Sequence, residues 1–97
     1  MTNDALALEA LNTATAAREA MQAVLDAAGE GAYGNMSRTR AVGRVVHGPR
    51  NVFASVTIAI CGCNPARPSI DTAAERAALQ AGAAVVKAAG YVVRQGR

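Results

Sequence analysis

The stretch from Asn51 to Ala66 carries no charged residue and is rich in β-branched side chains. An uncharged strand at a sheet edge would offer its free backbone groups to other chains, so this one belongs in the middle of a sheet. Within it the alternation is clean. Val52, Ala54, Val56, Ile58 and Ile60 point one way, and Phe53, Ser55, Thr57, Ala59 and Cys61 the other. The preceding run, Thr39 to His47, is also β-rich, and Gly48-Pro49-Arg50-Asn51 between them has the chemistry of a short hairpin turn. If His47 pairs with Val52, then Ala41, Gly43 and Val45 share the face of Val56, while Arg40, Val42, Arg44 and Val46 share the face of Phe53. A slip of one residue would drive both arginines into the core, so the charge pattern itself selects this register.

Two helical segments flank the hairpin. From Asp4 to Ala28, Leu6, Ala10, Ala14, Ala17, Met21, Val24 and Ala28 fall on one stripe, with Leu11 and Leu25 beside it. Asn3 or Asp4 is placed to cap the start, and Gly29 to end it. After a loop over Gly62 to Pro68, Ser69 or Thr72 is placed to cap a second helix, and Thr72 and Glu75 have capping-box spacing. Its expected stripe is Ile70, Ala74, Ala77, Ala78, Ala81, Val85 and Ala89, and it should stop at Gly90. Tyr91-Val92-Val93-Arg94 then reads as a short strand returning beside the central one by a right-handed crossover. The expected class is therefore α+β, a two-layer α-β-β-α-β domain. Its small three-stranded mixed sheet has order 1-2-3, with two Ala-rich helices on one face. Residues 1–97 make a single compact domain, with a flexible Gly-rich loop at about 29–38.

Although 52% of the residues are apolar, nearly half of these are alanine, which buries little area per side chain, so the core should be thin and self-association into a homodimer is expected. No stretch approaches a membrane span, and Asp4 and Glu9 are at odds with a basic leader. Cys61 and Cys63, one residue apart, close no useful loop, which points to the cytoplasm.

Catalytic and cofactor chemistry find little support. Gly29-Glu30-Gly31-Ala32-Tyr33-Gly34 matches the spacing of a dinucleotide fingerprint, but that motif follows a strand and opens a helix, whereas here a helix precedes and a strand follows. Cys61 and Cys63 offer two thiolates, yet the one histidine, His47, lies at the turn end of the hairpin, on the order of 30 Å away at strand rise. The cysteines read better as small buried hydrophobes or as thiols at a dimer contact. Arg38, opposite Cys61, would favour a thiolate, but no base is within reach to complete a nucleophile. The acids fall on helix faces and in loops. The expectation is a protein that binds rather than catalyses, with no cofactor and no metal.

Charge is strongly polarised. Residues 1–30 carry one arginine against five acids, and residues 31–70 carry five arginines and no acid. Arg40, Arg44, Ser55 and Thr57 beside Val42, Val46 and Phe53 make a mixed basic, hydroxylic and apolar sheet face that no helix is left to cover, with Arg38, Arg50 and Arg67 extending the positive field. Arginine stems that merely shield an exposed sheet satisfy the same composition. In outline, helix, strands and helix with Gly48-Pro49 before Phe53, the chain resembles double-stranded RNA-binding domains. It departs from them in having two strands rather than three before the second helix, and an acidic rather than lysine-rich start, Ser69-Ile70-Asp71.

Two readings follow. In the first, the Arg-rich face docks on a protein partner, as an adaptor, subunit or inhibitor of a larger complex, including complexes carried by mobile genetic elements. In the second, Arg38, Arg40, Arg44, Arg50 and Arg67 contact nucleic-acid phosphates, with Ser55 and Thr57 as further donors. The scarcity of aromatic residues for stacking on bases ranks the first ahead.

Overall fold

The computed structural model describes residues 3–27, 37–62 and 72–95, the side chains of Asn3, Ser37, Arg38, Cys61, Gly62 and Thr72 excepted. Helix α1 (Asn3–Ala27) is followed by strands β1 (Ser37–His47) and β2 (Val52–Gly62), helix α2 (Thr72–Ala88) and strand β3 (Val92–Gln95). The sheet has order β1-β2-β3, with β1 and β2 antiparallel and β2 and β3 parallel. This is the mixed α+β sheet expected from the sequence, with the uncharged strand at its centre.

The β1–β2 register runs without interruption from His47 opposite Val52 to Ser37 opposite Gly62. At the turn, the Gly48 amide donates to the Asn51 carbonyl at 2.7 Å, closing the hairpin around Pro49 and Arg50. β1 begins at Ser37, two residues inside the segment read as a loop, because Ser37 and Arg38 continue the ladder opposite Gly62 and Cys61. The remainder of that segment, with the glycine motif at 29–34, lies outside the described residues, as do Cys63, Arg67 and the start of the second helix before Thr72.

Helix α1 is held to the sheet by small residues. Ala10, Ala14, Ala17, Met21 and Leu25, spaced three and four apart, are all buried. At Gly43 of β1 the helix comes so near that an added Cβ would overlap the Ala10 carbonyl and lie 2.6 Å from its carbon. Only glycine fits there. α2 packs on α1 through a second such contact, where a Cβ on Gly82 would stand 2.7 Å from Met21 Cγ and 2.9 Å from its sulfur. A glycine inside a helix costs roughly 1 kcal/mol relative to alanine, and here it makes room for the fully buried Met21.

The main cluster of buried side chains is Ala14, Ala17, Met21, Leu25, Val56, Ile58, Ala78 and Val86. Three of these eight are alanine, so close backbone approach adds to the contacts of the five larger side chains. The buried line of α2 runs through Ala78, Gly82 and Val86. Of the stripe expected from sequence, Ala77 and Ala89 are exposed, the first turned aside from that line and the second past the helix end. On α1, Leu11 is exposed as well, on the flank away from α2.

α2 ends in a Schellman motif. The Tyr91 amide donates to Val86 O at 3.2 Å and the Gly90 amide to Lys87 O at 3.0 Å, with Gly90 at φ 83°. The chain then turns into β3, and the Tyr91 hydroxyl donates to the Glu9 carboxylate of α1. That carboxylate, by hydrogen bond and by charge, raises the Tyr91 pKa above its ordinary value. On the other flank of α1, Thr39 Oγ1 donates to Gln22 Oε1 at 3.0 Å, and Gln22 Nε2 donates to Asp26 Oδ1 at 2.9 Å. These polar contacts fix the lie of α1 over the sheet, where apolar packing against alanine has little directional preference.

Candidate docking face

Because side chains alternate along each strand, the register decides what meets solvent. On the face away from the helices, Val46 stands opposite Phe53, Arg44 opposite Ser55, Val42 opposite Thr57 and Arg40 opposite Ala59. β3 extends two of these rows. Ser55 has Val92 as its other neighbour, and Thr57 has Arg94. Across the sheet the rows therefore read Arg44-Ser55-Val92 and Val42-Thr57-Arg94, and no helix among the described residues covers them.

Three arginines on this face, Arg40, Arg44 and Arg94, are exposed, one on either side of the Thr57 row and one within it. Val42, Val46, Phe53 and Thr57 are half-buried. Val92 is 46% exposed, a large apolar side chain set between basic ones. Ser55, expected to donate from this surface, is only 4% exposed. It sits on the central strand, flanked by the longer Arg44 and Val92, so Thr57 is the hydroxyl that an incoming group can reach.

Of the other expected site residues, Arg67 lies outside the described residues. Arg50 is exposed at the hairpin tip, beyond the end of the ladder. Arg38 continues the parity of Arg40 and Arg44 opposite Cys61, its side chain not being described. Arg94 and Val92 were not among the expected residues. The final strand was legible, but placing Arg94 on the open face needed its register with β2, which puts Val93 against the core and its two neighbours outward.

The hairpin keeps His47 and Cys61 at opposite ends of the ladder. Among the described residues no three His, Cys, Asp or Glu side chains gather to hold a metal, and no helix is long and apolar enough to cross a membrane. No family model, no curated protein and no solved structure matches this chain.

Proposed function

We propose that the protein is a small non-catalytic binding module that docks on a protein partner through the open face of its sheet. The observation supporting this reading is the composition of that face: Arg40, Arg44 and Arg94 are interleaved with Val42, Val46, Phe53 and exposed Val92. Protein interfaces combine apolar contact area with arginine forks in this way. A phosphate-binding face would gain nothing from Val92. With Cys61 and Cys63 too close in sequence for a useful disulfide, the reading assigns the protein to the cytoplasm, as an adaptor, subunit or inhibitor of a larger assembly.

The test is affinity capture from native lysate with the full chain and with its Arg40→Glu/Arg44→Glu variant, each with and without nuclease. A protein retained after nuclease by the parent and lost by the variant supports the reading. Material that is lost on nuclease treatment overturns it in favour of nucleic acid. In that case Arg40→Ala/Arg44→Ala should lower the log–log salt slope of binding by about 2.

A further inference from the structure

Three of the four large apolar side chains left exposed among the described residues lie in two places. Leu8 (58%) and Leu11 (59%) stand on the outer flank of α1 and Val92 on the open sheet face, while the fourth, Val52, has the helix-side parity at the turn end of β2. The two places are complementary in charge. The outer flank of α1 carries Asp4, Glu19 and Asp26 against the lone Arg18, Glu9 being engaged by Tyr91 on the other flank. The open sheet face carries Arg40, Arg44 and Arg94 with no acid on its strands. The exposed side of α2 carries Arg76 and Lys87 and would be repelled there.

The two surfaces also match in layout. Along the sheet, the apolar pair Val46 and Phe53 lies toward the turn, and the arginines follow over six residues of β1, roughly 20 Å. Along α1, Leu8 and Leu11 come first, and Glu19 and Asp26 follow over roughly 12–27 Å. Between them Thr15 returns its hydroxyl to the Leu11 carbonyl at 3.0 Å, which removes a polar group from the strip. The helix, 25 residues or about 37 Å, equals the 11-residue strands in length.

We infer that the open sheet face receives the outer flank of α1 from a second copy of this chain, completing a three-layer helix–sheet–helix sandwich. The inference rests on the docking reading of that face and names its occupant. The contact joins two different surfaces, so a pair of copies keeps one of each free and association proceeds head to tail.

Sedimentation of the purified full chain tests this between roughly 10 µM and 1 mM, the range in which a small, partly polar interface associates. The average mass should climb past that of two chains at low salt and fall back when salt is raised. Leu8→Ser/Leu11→Ser and Arg40→Ser/Arg44→Ser/Arg94→Ser alter exposed side chains only, and each variant alone should remain monomeric with an unchanged circular dichroism spectrum. Mixed in equal amounts they share one intact contact and should form a one-to-one pair that grows no further. The inference is overturned if the parent chain stays monomeric at the highest concentration, if either variant still associates, or if the mixture stays monomeric. The docking reading would survive those results if the lysate partner is still lost on changing Arg40 and Arg44, and would fall separately if it is not.

Discussion

The two faces of the sheet are made from the same three strands and obey opposite rules. On the helix side, Gly43, Ala54, Val56 and Ile58 are shaped by what touches them. The Gly43 position excludes even a methyl group, and Val56 and Ile58 are fully buried. On the other side no helix among the described residues covers the strands, and Arg40, Arg44 and Arg94 remain exposed. Packing therefore accounts for most of the first face, and on the second for little beyond the buried Ser55 and Ala59. Where packing does not dictate the side chain, its chemistry reports on something outside the fold, and this is why the open face carries the functional reading.

The contrast can be broken most sharply at neighbouring positions of β2. Ile58→Ala should destabilise the protein by about 4 kcal/mol, whereas Thr57→Ala, one residue away on the other face, should cost less than about 1 kcal/mol. Urea unfolding followed by circular dichroism measures both, and equal losses would mean that the faces do not differ as described. Next in size, Gly43→Ala should cost about 3 kcal/mol, since backbone rather than a flexible side chain must give way. Gly82→Ala should cost less, about 1 kcal/mol, because the gain in helix propensity offsets part of the displacement of Met21. On the open face, Arg40→Ala and Arg44→Ala should each shift stability by no more than about 0.5 kcal/mol while weakening partner binding.

The smallest effect is one of pH. The Tyr91 hydroxyl donates to Glu9 only while protonated, and its pKa is raised in the folded state. The stability it contributes is full below the unfolded value near 10 and disappears as pH rises through the higher folded value. Comparing denaturation midpoints of the parent and Tyr91→Phe from neutral to strongly alkaline pH isolates this contribution. The difference should shrink as the pH climbs, and a constant difference would remove Glu9 as its cause.

Much of this architecture was legible in residue types. The charge-free run of β2 placed it centrally, and Arg40 and Arg44 fixed the hairpin register, since only one parity keeps them out of the core. What the sequence left dark depended on close approach between elements. Alanine gives helical periodicity little contrast, so the line of α2 through Gly82 could not be told from one through Ala77. The depth of Ser55 depended on side chains standing on two other strands. The place of Arg94 depended on a parallel register, which no turn constrains.

The contact of Ala10 with Gly43 has a consequence for the sheet's free edge. Since Gly48 and Asn51 bond across the turn, the alternation leaves the amides and carbonyls of Thr39, Ala41, Gly43 and Val45 pointing outward along β1. Among the described residues no strand pairs with this edge of eleven residues, and such an edge invites another strand. A second copy adding its own β1 would lie about 4.8 Å away, carrying a helix seated just as low, while packed helices need about 8–10 Å between their axes. Helix α1 thus acts as a bumper beside the edge and hinders copies of this chain from zipping together strand by strand.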